Sequence, residues 1–314
     1  MDIEKILDGK IKALPPGSHS NGLRAVKFHI EAAIRHFGRA QIEPDESLFI
    51  DVITRCNLAF EGSIKEAYRV LAEQDPQGTT SAEIEKFLAS GNLLRKKVLD
   101  QFTRYRQEWR NPSTHDYTLD FDEDEALLAI VSVTVFAVVL CDQIESKIAF
   151  NVAAAAAPAS PISKTEQRAP LLDLVTDKAM SFATTHVDTA SSGRPGADYY
   201  RLEGSFTGYL SAELASIPGF VVKQNERLGG RVPDIVVERD GEKVVLELKR
   251  ASHWASIRSA VHDGVGKLTF YIRDPGVVGA VALIYSPDHR DYEVERLEGP
   301  NIRIVSPQRR NKAR

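Results

Sequence analysis

Cysteine is scarce in this chain, with only Cys56 and Cys141 among 314 residues. Two isolated thiols cannot build a disulfide framework or a zinc cluster, so both are expected to be buried in a reducing cytoplasm. Basic charge is not in excess either: 40 Lys+Arg stand against 44 Asp+Glu, a net charge of −4. No global field therefore advertises a polyanion. The opening MDIEKILDGKIKAL lacks the basic start and long apolar core of a secretory signal. The longest apolar run, ALLAIVSVTVFAVVLC, holds 16 residues from Ala126 to Cys141. A bilayer span needs about 20, and the acidic residues before the run are poor anchors. A buried helix, no membrane partner and a cytoplasmic location are the expectation. No stretch reads as a recognition helix or an aromatic stacking face, which leaves sequence specificity unreadable.

What the chain does have is length for two ordinary domains, with 43% hydrophobic and 27% charged residues as in a soluble globular protein. The near-neutral total hides an asymmetry. Residues 1–150 carry 18 Lys+Arg against 24 Asp+Glu, and the remainder 22 against 20, so a polyanion docks more readily on the second half.

Leu23, Val26, Phe28, Ile30, Ala33, Ile34 and Phe37 recur at helical spacing, with Asn21 as cap and Gly38 as stop. A second helix is expected over Pro44 to Gln74, interrupted near Gly62, and Asp75-Pro76-Gln77-Gly78 is a turn. Thr80 or Ser81 caps a third that runs to Trp109, where Pro112 prevents simple continuation. The acidic residues Asp120 to Glu125 suit the N-terminus of a last long helix reaching about Phe150. The expectation is an all-α bundle over 1–150 and an alanine- and proline-rich linker over 151–170, whose alanines can also extend the preceding helix. A mixed α/β domain follows over 171–314, its elements in the order helix, strand, hairpin, helix, strand, strand.

The densest chemistry lies in RVPDIVVERDGEKVVLELKR, Arg231 to Arg250. Two apolar runs flank Asp240-Gly241, the pair that best tolerates the positive φ angles of a tight hairpin. With those two as the loop, Arg239 faces Glu242, and stepping back along both strands brings Asp234 opposite Glu247. Opposed Cβ atoms on one face stand about 4.5–5.5 Å apart. Two carboxylates so close repel unless a cation sits between them, and a hard divalent ion bound by carboxylate and carbonyl oxygens is the usual answer. Lys249, two residues past Glu247, shares that face and can orient a water or stabilise phosphorane-like charge. The plainer alternative is a cross-strand ion pair of the kind that Glu238 opposite Lys243 makes on many surface hairpins.

Pro233-Asp234 followed by Glu247-Leu248-Lys249 resembles the signature of the PD-(D/E)XK nuclease superfamily, the restriction-endonuclease-like fold. The resemblance spans about Tyr199 to Tyr285. It implies Asp234, Glu247 and the Leu248 carbonyl as Mg²⁺ ligands, with Mn²⁺ able to substitute, and Lys249 as the group that positions the attacking water. It further implies a helix in LEGSFTGYLSAEL with Glu203 at its start as an extra acidic ligand, Glu213 being the competing choice. In RSAVHDGVGKLTFYI, Lys267-Leu268 and Tyr271 fill the superfamily's Gln-Leu-x-x-Tyr pattern, with lysine in place of glutamine. A cation there, facing phosphate, is a supporting group.

Between the last two helices stands Arg110-Asn111-Pro112-Ser113-Thr114-His115. An arginine at a helix end and a histidine in the following turn can bind a phosphodiester and move a proton at neutral pH; a polar turn between helices also often contains both residue types. In its setting the motif is similar to the R-N-x-x-x-H form found in HEPN-domain proteins, over roughly Asn21 to Phe150. That likeness implies catalytic Arg110 and His115, a supporting Asn111, metal-independent cleavage of RNA, and a homodimer or higher homo-oligomer built through the helical domain. Together the two resemblances imply a metal-dependent nuclease fused to a HEPN-like ribonuclease, acting on DNA or RNA in prokaryotic anti-phage defence. Two alternatives stay open: a single-site DNA endonuclease whose helical domain only dimerises or senses, and a catalytically silent protein that binds nucleic acid or neutralises a toxin.

Overall fold

The computed structural model describes residues 2–43, 45, 47–90, 93–115, 120–157, 166, 168–186, 197–251, 253–297 and 301–308. The chain forms two compact units, Met1–Lys147 and Ile148–Arg314. Among the described residues, the regular structure up to Leu214 is helical and a six-stranded mixed sheet with a further helix follows, an α + α/β architecture.

The first unit opens with α1, Ile3–Ala13, where the Asp2 carboxylate accepts from the Lys5 amide at 3.0 Å and so satisfies one of the free N–H groups of a helix start. The sequence reading missed this helix. Helix α2, Ser18–Ala40, starts at Gly17, not at Asn21, and runs past Gly38. Helix α3, Ser47–Leu71, passes unbroken through Gly62. That glycine does not interrupt the helix but lets α2 come close, since a Cβ there would stand 2.9 Å from Val26 Cγ2. At α4, Ser81–Ser90, Thr80 Oγ1 accepts from the Glu83 amide at 3.3 Å and Glu83 Oε2 from the Thr80 amide at 2.9 Å, a reciprocal cap.

Helix α5, Lys96–Tyr105, leads into a π-helical turn, Arg106–Arg110, and then α6, Asn111–His115. The expected break at Pro112 is absent. The Asn111 amide donates five residues back to Arg106, and the widened turn leaves the proline in the first turn of a new helical segment, where its missing N–H costs nothing. Arg110 and Asn111 are therefore within helical backbone, not in an open turn. The last helix, α7, spans Glu123–Ala156, so residues 151–156 of the expected linker belong to it. At 34 residues α7 is long and apolar enough to cross a membrane, contrary to the length argument, yet 61% of its most apolar 18-residue window is buried. Its Phe136 meets Phe60 at 5.4 Å, and Phe60 stacks on Tyr105 at 4.8 Å and on Phe102 at 5.5 Å, in the core of this unit.

In the second unit α8, Leu171–Thr185, and α9, Ala197–Leu214, precede β1, Phe220–Gln224. Then come β2, Ile235–Arg239, β3, Glu242–Arg250, α10, Trp254–Tyr271, β4, Val277–Tyr285, β5, Tyr292–Arg296, and β6, Ile302–Pro307. The spatial order is β1-β2-β3-β4-β6-β5, with β3, β4 and β6 parallel and the other neighbours antiparallel. Asp240 and Gly241 take φ of 53° and 86°, the left-handed pair of a type I′ turn, and the β2–β3 ladder has the expected register, Arg239 opposite Glu242 through Ile235 opposite Leu246. Alternation divides the sheet: Ile235, Val237, Leu246 and Leu248 pack with α8 and α9, whereas Val236, Val245, Ala282 and Ile284 pack with Leu268 and Tyr271 of α10. The rest of the linker from 158 to 165, the loop 191–196 and the basic tail 309–314 lie outside the described residues.

Candidate active site

Asp234 is the residue before β2, one step beyond the last ladder pair, and Glu247 is its partner by register on β3. Both share the parity of Val236 and Val245, the side of the sheet that α10 covers. Glu247 is fully buried. One of its oxygens, Oε1, accepts from Lys249 Nζ at 2.8 Å and from Lys267 Nζ of α10. The other, Oε2, is buried with no hydrogen-bond partner. Asp234 Oδ2 accepts from the Leu248 amide at 2.6 Å. Since the N–H and C=O of a strand residue point to the same neighbour, the Leu248 carbonyl is turned toward the Asp234 side as well.

The electrostatics are those of two neighbouring acids, Glu247 fully buried and Asp234 half-buried. Burial first, then the Glu247 charge, push the Asp234 carboxyl above its ordinary value of 3.8; the Leu248 amide, Tyr199 and Lys249 oppose that shift. Burial tends to lower the Lys267 ammonium, but the hydrogen bond and charge of Glu247 outweigh it and the net direction is up. Tyr199, in the first turns of α9, hydrogen-bonds to Asp234, and its hydroxyl is held well above the usual phenol range by burial and by that neighbouring charge. Tyr271 is raised as well, by burial and then by Glu247.

Glu203 does not open its helix: α9 starts at Ala197 and places Glu203 in the second turn, buried. Its Oε1 accepts from Asn225 Nδ2 at 2.9 Å. Asn225 has φ of 53°, in the left-handed region, and its amide donates to the Asp234 carbonyl at 3.2 Å. The alternative acid, Glu213, is engaged elsewhere, with Lys178 at 2.8 Å. Sequence reasoning missed Tyr199 and Asn225. Nothing marks the tyrosine in a linear reading, whereas an asparagine ahead of a Gly-Gly turn is at least a residue that tolerates positive φ.

No protein-family model, curated protein or solved structure matches this chain. The donor set alone must therefore say what fits. Among the described residues no group of three or more His, Cys, Asp or Glu side chains gathers around one point. Two carboxylates with one orphaned buried oxygen nevertheless suit Mg²⁺, which takes one or two protein carboxylates and fills its shell with water and substrate phosphate.

The second constellation is arranged differently. Arg110 is largely buried, with Nε 3.4 Å from Glu85 Oε1 and an Nη 3.7 Å from Glu61 Oε1. Burial raises the Glu85 carboxyl, against the pull of Arg110 and then Arg106. Asn111 is half-buried on the adjoining helical turn. His115 ends α6, and its side chain lies outside the described residues. Ser113 Oγ donates to the Trp109 carbonyl at 2.6 Å and accepts from Asn57 at 2.7 Å, bracing the segment against α3.

Proposed function

We propose that the second unit is a metal-dependent nuclease hydrolysing phosphodiester bonds of nucleic acid with Mg²⁺, for which Mn²⁺ can substitute. The observation that carries this reading is the buried, partnerless Glu247 Oε2 on the face that Glu247 shares with Asp234. A desolvated carboxylate oxygen left without a donor is costly unless a cation completes it. Asp234, Glu247 and the Leu248 carbonyl would hold the ion; when bound, it supplies charge to polarise the scissile phosphate and lowers the pKa of a coordinated water. Lys249 positions the attacking water and its ammonium offsets the negative charge that develops on the phosphorus oxygens. Lys267, half exposed beside Glu247, faces the incoming phosphate. Tyr199 holds Asp234 in place through its hydroxyl.

The first test is Asp234→Ala in the full chain. Cleavage is expected to vanish while circular dichroism and the melting transition stay those of a folded protein, and the rise in melting temperature on adding Mg²⁺ should vanish with it. Metal-dependent cleavage at the wild-type rate in that variant would remove the assignment.

One observation favours the version with a single active site: Arg110 already faces Glu85 and Glu61, and this supports a structural role for it. The helical unit then serves dimerisation or sensing, within a cytoplasmic anti-phage effector of the kind the two resemblances suggest. RNA cleavage in EDTA that disappears in His115→Ala would reinstate a second, metal-independent site. Binding without turnover across Mg²⁺, Mn²⁺ and several substrates would make the protein a silent nucleic-acid binder instead.

A further inference from the structure

Between β1 and β2 the chain makes a second tight reversal. Leu228 and Arg231 exchange both backbone hydrogen bonds, at 2.8 Å each, around Gly229 and Gly230 with φ of 52° and 86°. Those angles define a type I′ turn, which only residues tolerant of positive φ can make. Beyond its positive φ, a Cβ at Gly229 would meet Asp274 Oδ1 at 2.3 Å unless that side chain moved. The turn is thus pressed onto the segment just after α10, and it presents Arg231 with its guanidinium carbon 3.7 Å from the centroid of the Phe270 ring. Arg273 approaches the same ring at 5.7 Å.

This cluster differs from an ordinary surface cation–π pair in three ways. Phe270 remains 46% exposed and Val232 50% exposed, so an apolar surface is left open around an exposed arginine. Among the described residues neither Arg231 nor Arg273 forms an ion pair with a carboxylate, although two like charges converge on one ring. Finally, the cluster adjoins the carboxylate pair. Arg231 is three residues from Asp234, a reach of at most about 10 Å, and Phe270 is one helical turn from Lys267, which touches Glu247.

Resting on the nuclease reading above, we infer that Arg231 and Phe270 form a stacking platform for an unpaired nucleobase, with Arg273 and Lys267 taking the flanking phosphates, so that the substrate is single-stranded nucleic acid or a frayed strand end. The faces of bases inside a duplex are covered by their neighbours, whereas an unpaired base can lie on an aromatic ring or a planar guanidinium. Arginine suits this role better than lysine because it adds a plane to the charge.

The test is equilibrium binding of the full chain, with chelator present to prevent hydrolysis, to 2-aminopurine-labelled 12-mers of single-stranded DNA, single-stranded RNA and duplex DNA. Quenching of the fluorophore by stacking and a preference of about tenfold for at least one single strand over duplex are expected. Comparison of the DNA and RNA arms identifies the natural sugar. Arg231→Lys keeps the charge and loses the plane; it should weaken single-strand binding about fivefold or more and abolish the quench, with duplex binding changed less than twofold. Phe270→Leu should lose the same quench, and unchanged melting would show that both variants fold. Equal affinity for duplex and single strands, or an unaltered quench in Arg231→Lys, overturns the platform whether or not the protein cleaves. If the platform behaves as expected but no metal supports cleavage, the nuclease reading falls and the platform stands.

Discussion

Asp234 shows how much one side chain can depend on its neighbours. Half-buried beside the fully buried Glu247, it is held by one backbone amide and one phenol, from Leu248 and Tyr199. A hydrogen bond to a charged buried group contributes about 1.5–3 kcal/mol, more than a neutral one. Tyr199→Phe keeps the ring and deletes the donor. It should therefore lower stability by about 2 kcal/mol at pH 7, as measured by urea denaturation. A variant indistinguishable from wild type would mean that Asp234 does not rely on the phenol. None of this could be read from the sequence, because Tyr199 lies 35 positions from Asp234 and only the packing of α9 on the sheet brings them together.

At the scale of elements, what could be read ahead was what local rules dictate. Asp240-Gly241 favours a tight type I′ turn, and that turn sets the register which puts Asp234 opposite Glu247. Val277 to Tyr285 is apolar along its whole length, as a strand buried on both faces must be. Strand β5, in contrast, is mostly exposed at the sheet edge; Tyr292 and Val294 alternate with Glu293 and Glu295, but over only five residues, and the stretch went unread. Pro112 misled for a different reason: the rule that proline ends a helix holds for α geometry, and the π turn before it changes the hydrogen-bond partner. Helix α1 escapes a sequence reading because its amphipathic stretch is short and stands at the start of the chain, the place of a leader segment. It is tied to α2 by Asp8, which lies 2.7 Å from Lys12 and 2.8 Å from Lys27. Hydrogen bonds from Lys12 and then Lys27 pull the Asp8 carboxyl down to about 2. A carboxyl depressed in the folded state adds stability that is present above its ordinary value of 3.8 and is lost as the pH falls through about 2. Asp8→Asn should accordingly shift the urea midpoint downward at pH 7, by less in high salt, and the gap from wild type should close between pH 3.8 and about 2. A gap that persists at the acid end would assign the effect to packing and not to charge.

For the whole molecule, both cysteines lie in the core of the first unit, Cys56 on α3 and Cys141 on α7, and burial pushes the Cys141 thiol up to about 12 and that of Cys56 in the same direction. Neither should react with a thiol reagent at pH 7 in the native protein, and both should react in guanidinium; a thiol titrating in native buffer would show that the first unit opens locally. The sheet of the second unit has a polarity that organises its chemistry. Glu247 and Lys249 lie toward the end of β3, and Asp234 stands at the start of β2, which runs the other way, so all three gather at one rim. That rim is where the parallel strands deliver the chain into connections, while the opposite rim carries the Asp240-Gly241 reversal. Segments leaving β3 and β4 can lengthen, shorten or change composition without severing a rung of the ladder. On the nuclease reading proposed above, those segments are where the grip on a substrate would change while the acids beneath stay in place.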